Sequence, residues 1–338
     1  MAPAPAQTIV IREAPRRAWM AWILLFLLGI SLFFNVGQLG ALVLALSGDV
    51  SSPGAPLEVH HSGDRQADAK IALVNITGTI MPPFTERILD TLEHIEQDKT
   101  VRGVILVIDS PGGLVADSHQ IYHQVKKLRD ARKIPIYVSM KRMAASGGYY
   151  VAMGAGQEGK IYAEPTTWTG SIGVIIPRYN VSKLASEFGV SAEPLTTGPF
   201  KDALSPFREM TADERTVWEG ILNDAFARFQ EVILDGRGNQ LDAEQIKSLA
   251  TGRIFTALQA KENKLVDAIG YLDDVVGDLK QQLKLSSANV IEYEHPLSLS
   301  EVLFGSAETR SAKNPLSELL EASVPRAMYF CGWHAALE

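Results

Sequence analysis

Ser146 stands in the run Met143-Ala144-Ala145-Ser146-Gly147-Gly148-Tyr149-Tyr150, shortly after the apolar stretch Ile134-Pro135-Ile136-Tyr137-Val138-Ser139. A hydroxyl flanked only by alanine and glycine has space for a substrate beside it. Glycine lets a backbone approach a ligand closely, and the first N–H groups of a helix favour developing negative charge. The same few residues could supply a nucleophile and part of an oxyanion hole. The plainer reading is a small-residue helix start packed under a sheet.

Two other segments bear on that choice. Upstream, the buried-strand run Val104-Ile105-Leu106-Val107-Ile108 ends in Asp109-Ser110-Pro111-Gly112-Gly113, before a helical stretch from Asp117 to Asp130. A strand, a Pro-Gly-Gly turn and a helix leave free backbone N–H groups at the strand's C-terminal end, a second half for an oxyanion hole. Downstream, Lys201 lies in Gly198-Pro199-Phe200-Lys201-Asp202-Ala203-Leu204-Ser205-Pro206-Phe207-Arg208. A lysine is a general base only when neutral, so its ordinary pKa of ~10.4 must fall by about 2–3 units. Burial by Phe200 or by bound substrate would lower it, and a nearby carboxylate such as Asp202 would oppose that. In an extended segment successive side chains face opposite ways, so Asp202 need not share the lysine's pocket. By itself Lys201 reads equally well as a solvated loop lysine.

Five motifs in order resemble the signal peptide peptidase A (protease IV) family of serine peptidases. They are Asp109-Ser110-Pro111-Gly112-Gly113, Ala145-Ser146-Gly147-Gly148-Tyr149-Tyr150, Thr169-Gly170-Ser171-Ile172-Gly173-Val174, Lys201-Asp202 with Ser205-Pro206, and Gly252-Arg253-Ile254-Phe255-Thr256. The likeness runs from about Lys70 to about Val276. It implies an α/β Clp-protease/crotonase-like fold and a Ser–Lys dyad, with no cofactor and no metal. By this resemblance Ser146 is the nucleophile, Lys201 the general base and Ser171 the hydroxyl that orients the lysine. The N–H groups of Gly113 and Gly147 would form the oxyanion hole. Single-unit members look like ring oligomers in which one protomer's serine meets its neighbour's lysine, and this sequence shows no internal repeat. The chain departs from the family at Asn263-Lys264-Leu265-Val266-Asp267, where a Gly-Leu-Val-Asp turn is usual, so a residue bearing a side chain is expected in that turn.

The elements that must position these residues alternate. A strand at Lys70–Ile76 precedes helical spacing at Ile88, Leu89, Leu92 and Ile95, then come the strand at 103–108, the helix to Asp130 and the strand from Ile134. This is the pattern of an α/β domain on a largely parallel sheet. The stretch from Thr211 to Leu234 reads as a long helix, and Gly252–Thr256 as a further helix. After Asn289 the pattern weakens. The chain divides into a segment 1–17, an apolar helix 18–46, a Gly/Ser/Pro-rich linker 47–69, a peptidase-like domain 70–296 and a tail 297–338 with an amphipathic segment near Leu316.

No charge occurs from Ala18 through Gly48, long enough to span a bilayer. Arg12, Arg16 and Arg17 precede it and Asp49 and Glu58 follow, so the positive-inside rule keeps the N-terminus cytoplasmic and the domain extracytoplasmic. A cleaved signal peptide would require an apolar region about twice the usual 7–15 residues. Such an anchor makes membrane lipid one partner and apolar peptides the natural substrates. Remnant signal peptides are what the resemblance implies, with small or apolar side chains near the cut. With 32 Lys+Arg against 39 Asp+Glu, net charge −7, and no basic block among aromatics, nucleic-acid binding has no electrostatic footprint. Cys331 is the only cysteine, which excludes an intrachain disulfide.

His119 and His123 have the i, i+4 spacing of a zinc peptidase, but Gln120 stands where its glutamate base belongs, so both read as helix-surface residues. Asp109 before Pro-Gly-Gly reads as turn chemistry. Alternatives from other classes are a crotonase-like acyl-CoA enzyme and a non-catalytic membrane scaffold that keeps the fold.

Overall fold

The computed structural model describes residues 18–46, 56–295 and 328–330, with side chains in the first helix from Trp22 to Gly40. In chain order the elements are α1 (Ala18–Leu46), β1 (Leu57–Gly63), β2 (Lys70–Thr77), α2 (Phe84–Gln97), β3 (Val101–Ser110), β4 (Gly112–Leu114), α3 (Val115–Arg132), β5 (Ile136–Ala145), α4 (Gly147–Ala152), β6 (Ile161–Ala163), β7 (Trp168–Gly170), α5 (Ser182–Glu187), α6 (Ala212–Arg237), α7 (Ala243–Leu249), β8 (Ile254–Thr256), α8 (Ala257–Glu262), β9 (Ala268–Ile269), α9 (Leu272–Gln282), β10 (Asn289–Glu294) and β11 (Met328–Phe330).

The main sheet runs β1-β10-β2-β3-β5-β6-β9, with β7 joining β5 to β8. Every pair from β10 to β9 is parallel, and β1 closes one edge antiparallel to β10. A parallel sheet covered on both faces needs strands that are apolar on both sides, which is why Val104–Ile108 is a continuous buried run. Side chains alternate between two layers. Val104, Leu106 and Ile108 meet α2 through Ile88 and Leu92 and α3 through Ile121 and Val125. Ile105 and Val107 pack with Val275 and Leu279 of α9 on the other face.

The helix α1 carries an apolar stretch, Trp22–Gly40, of mean hydropathy 2.0, with its side chains exposed; no other helix among the described residues is long and apolar enough to cross a membrane. The expected strands and helices of the 70–237 region all form. Two details differ, and a third is as expected. The stretch read as linker contains β1, whose partner β10 lies where the sequence pattern weakens, so each supplies the pairing that the other lacks locally. The segment Gly252–Thr256 is not helical: Ile254–Thr256 pair antiparallel with β7, and the helix α8 begins only after Thr256, whose hydroxyl accepts from the Gln259 N–H in a capping box. At Asn263–Asp267 a side-chain-bearing residue does take the turn: Lys264 has φ 60°, and its carbonyl is held by the buried Arg237 guanidinium at 2.8 and 3.0 Å.

β5 changes partner along its length. Val138–Met140 pair with β6, whereas Met143–Ala145 pair with β7. Its last residues therefore pass from β6 to β7 while Ala144 still pairs with Ser110 of β3, and Ser146 follows them.

Candidate active site

Ser146 caps the six-residue helix α4 with φ 54° and ψ −112°, a backbone conformation that costs a side-chain-bearing residue about 1–3 kcal/mol. The surroundings fix it from both sides. Its N–H donates to the Gly170 carbonyl at 2.7 Å, and its own carbonyl accepts from the Tyr150 N–H at 2.8 Å. The side chain is fully buried, and its Oγ has no hydrogen-bond partner among the described residues. A strained, enclosed hydroxyl left unpaired is an exception to the rule that buried polar groups are satisfied.

The Pro-Gly-Gly turn packs its backbone against the start of α4. A Cβ at Gly112, where φ is 101°, would lie 2.7 Å from the Gly147 nitrogen. One at Gly147 would lie 3.1 Å from the Gly113 nitrogen and 2.5 Å from Ser118 Oγ, and one at Gly113 would lie 2.0 Å from the Ile80 carbonyl oxygen. Glycine is thus required on both sides of the contact, which packs the backbone of Gly112 and Gly113 against Gly147, next to Ser146. Ser110 Oγ braces the turn by accepting from the Gly112 N–H at 3.1 Å.

Ser171 directly follows the carbonyl that holds Ser146. It is buried, has φ 48°, and its N–H donates to the Arg253 carbonyl at 2.7 Å. Arg253, just before β8, therefore fixes Ser171, which makes the Gly252–Thr256 motif part of the site's scaffold. Asp109 does not take the turn role expected of it: its carboxylate turns to β5, accepting from the Arg142 guanidinium at 2.7 and 2.8 Å and the Met143 N–H at 3.3 Å, and Ser110 braces the turn instead.

Lys201 is not brought to this group. Residues 198–208 form a succession of turns rather than an extended segment, Lys201 is exposed, and its Nζ makes no hydrogen bond or ion pair among the described residues. Since Ser146 Oγ is also unpartnered, the two are not hydrogen-bonded within the chain. Asp202 is separated from Lys201 by its partner, not by alternation along a strand. Both its oxygens accept from Arg208, at 2.8 and 2.9 Å, and the same guanidinium binds Glu214 at the start of α6. Arg208 holds the Glu214 carboxyl down to about 2, and Asp202 below the usual carboxylate range, by hydrogen bonding and charge.

The two histidines stay on the surface of α3, and among the described residues no group of three or more His, Cys, Asp or Glu could hold a metal. His119 nevertheless shares a 2.7 Å hydrogen bond with Tyr150 Oη, and burial, Arg228 and His123 all depress its pKa. Tyr150 belongs to an aromatic cluster with Tyr122, Phe229 and Tyr329 that sequence reasoning did not mark as functional. The doublet Tyr149-Tyr150 after the glycines was its only local signal. Cys331, the amphipathic stretch near Leu316 and the arginines before α1 lie outside the described residues.

Residues 128–286 match peptidase family S49. A putative signal peptide peptidase SppA of Enterococcus faecium is 41% identical over 210 residues, covering 62% of this chain and 59% of that protein. A putative protease of Synechocystis is 38% identical over 205 residues, 61% of this chain and 71% of its own length. Protease 4 of Salmonella typhi is 32% identical over 228 residues, 68% of this chain but only 36% of the relative. The chain thus spans 59% of the Enterococcus protein's length and about a third of the longer protease's.

Proposed function

The chain belongs to peptidase family S49, the signal peptide peptidase A family of serine peptidases, and from that premise we propose that it is a membrane-anchored endopeptidase working through a Ser–Lys dyad. The observation that carries the mechanism is the Ser146 corner: a strained, buried hydroxyl whose Oγ has no partner among the described residues, next to the closely packed backbone of Gly112, Gly113 and Gly147. Ser146 Oγ attacks the scissile carbonyl, and those N–H groups stabilise the oxyanion. Lys201 takes the serine proton as general base and returns it to the leaving amine, with the Ser171 hydroxyl orienting the ammonium.

Because Lys201 is exposed and makes no hydrogen bond to Ser146 Oγ in its own chain, the reading that fits is a dyad between protomers in a homo-oligomeric ring. Insertion into a neighbour would bury the ammonium, and desolvation favours the neutral base. The division of β5 between β6 and β7 supports the Clp-protease/crotonase-like form of the α/β fold. The apolar α1 supports a single membrane-spanning anchor with the N-terminus cytoplasmic and the domain outside, where remnant signal peptides and other apolar peptides are within reach.

A fluorophosphonate probe tests the reading. It should label the full-length chain at Ser146, and Ser146→Ala should lose the label. Absence of labelling in a folded oligomer would leave a scaffold or an acyl-CoA enzyme as the better account.

A further inference from the structure

β10 keeps one neighbour longer than the other. Its ladder with β2 ends at Glu292 opposite Leu73, while its ladder with β1 includes Tyr293 and Glu294. Val74 and Asn75 are therefore left without a strand partner on that side of β2, and α2, whose Ile88 packs in the same core as Val74, roofs the gap. The result is a cavity of about 230 Å³ between β2, β10 and α2, lined among others by Val74, Asn75, Phe84, Arg87, Tyr293 and His295. It is separate from the serine. Val74 is level with Leu106 and, through it, with Val138, eight positions before Ser146, or up to roughly 26 Å along the strand.

The lining has an apolar part and a polar part. Phe84, Ile88 and the Tyr293 ring, which meets His94 edge-on at 5.6 Å, supply the first. Arg87, Thr91 and His295 belong to the second. Thr91 Oγ1 donates to the Arg87 carbonyl at 2.9 Å, so its one proton is committed, and His295 Nε2, 3.0 Å away, is the donor to it. Burial, and after it the Arg87 charge, hold the His295 pKa below its ordinary value, which keeps the ring neutral. The single proton of that ring is on Nε2, and Nδ1 is an acceptor. Nδ1 is buried and has no hydrogen-bond partner among the described residues, an exception to the satisfaction of buried polar groups.

We propose that this cavity binds an apolar residue bearing a free carboxylate and an N–H on the same carbon, as an apolar amino acid or the C-terminal end of a peptide does. The carboxylate pairs with the Arg87 guanidinium, the N–H donates to His295 Nδ1, and the apolar side chain lies among Phe84, Ile88 and Tyr293. Each part of the ligand answers a feature that the other parts leave unused. A plain aliphatic carboxylate would leave Nδ1 without a donor, and an amine without a carboxylate would meet like charge at Arg87. The volume sets the size: it is below the ~300–1,000 Å³ of sites for drug-sized ligands, which holds the occupant to about one residue. The inference stands apart from the peptidase reading, because no bond is made or broken here and none of these residues is assigned to the reaction.

Isothermal titration calorimetry of the full-length chain in detergent micelles tests it, with N-acetyl-leucine as the probe. N-acetyl-leucinamide, which lacks the charge, and 4-methylpentanoate, which lacks the N–H, should each bind at least ~10-fold more weakly. Arg87→Gln should weaken N-acetyl-leucine by ~10-fold or more and leave the amide nearly unchanged. Amide hydrogen exchange of the wild type locates the ligand: protection should rise over residues 84–91 and 290–295, and this readout decides should Arg87→Gln fail to fold. Free leucine binding more tightly than N-acetyl-leucine would assign the site to amino acids and the reverse order to chain ends, and both orders sustain the proposal. Equal binding of acid and amide, protection confined to other residues, or no saturable binding up to ~10 mM probe would overturn it.

Discussion

The Ser146 corner and the Lys201 loop are built to opposite standards. Around Ser146 the chain tolerates no added atom: the glycines at 112, 113 and 147 face backbone or a hydroxyl at 3.1 Å or less, and the serine is held at both its N–H and its carbonyl. Around Lys201 there are turns, half-exposed side chains and one charged clasp at Arg208, and a Cβ at Gly198 would meet nothing within 4 Å. An oxyanion hole works through sub-ångström preorganisation, so its donors belong in a close-packed core. A lysine on a loop lacks that surrounding and can acquire it from another protomer. On the proposed reading, the single chain would place the serine and assembly would complete the base.

The severest way to break this comparison is to remove either reacting group. Ser146→Ala and Lys201→Ala should each lower hydrolysis of an apolar peptide by ~10⁴-fold or more, since members of one catalytic unit are not additive. Lys201→Ala retaining a few per cent of wild-type turnover would end the dyad. Mixed oligomers of the two inactive variants sharpen the point. They should regain activity, because some interfaces then pair an intact Ser146 with an intact Lys201. No recovery in oligomers shown to be mixed would return the base to its own chain.

A second break is milder and compares glycine with glycine. Gly147→Ala would set a methyl 2.5 Å from Ser118 Oγ and 3.1 Å from the Gly113 nitrogen, displacing an oxyanion donor. We expect a loss of about 10²-fold in kcat with KM little changed. Gly198→Ala, in open space, should stay within ~3-fold of wild type. Equal losses would mean that the two regions are not packed to different standards.

The parts legible in the sequence were those carried by local pattern. Buried strands such as 104–108 and helices such as α2 declare themselves by apolar spacing, and the glycine turns by composition. Three-residue strands do not: β8 owes its conformation to β7, and β11 to β4 and Ile175, so nothing near Ile254 or Tyr329 announces it. The partner of Asp202 was hidden for a related reason. Arg208 lies six residues on, and only the succession of turns folds it back. The aromatic cluster draws Tyr150, Phe229 and Tyr329 from widely separated places, and sequence spacing carries no trace of it.

The smallest effect concerns the clasp that holds the Lys201 loop. Arg208 joins Asp202 to Glu214, and Arg178 ties the same loop through the carbonyls of Ser205 and Arg208 at 3.1 and 2.6 Å. Arg208→Ala should loosen the loop without touching the Ser146 corner, so activity should fall by roughly 10-fold while fluorophosphonate labelling of Ser146 persists. The clasp also fixes a pH response. Glu214 has its folded pKa lowered to about 2 and Asp202 is lowered as well, so their pairing contributes fully above the ordinary carboxylate range and fades as pH falls through that range toward 2. Amide hydrogen exchange over residues 198–214, corrected for the intrinsic rate, should therefore show protection in the wild type that is flat from neutral pH to about pH 5 and declines below it. Arg208→Ala should show little protection at either end, so the difference between the two proteins should shrink as acid is added. A difference that instead grew on acidification would mean that the carboxylates, not the guanidinium, strain this loop.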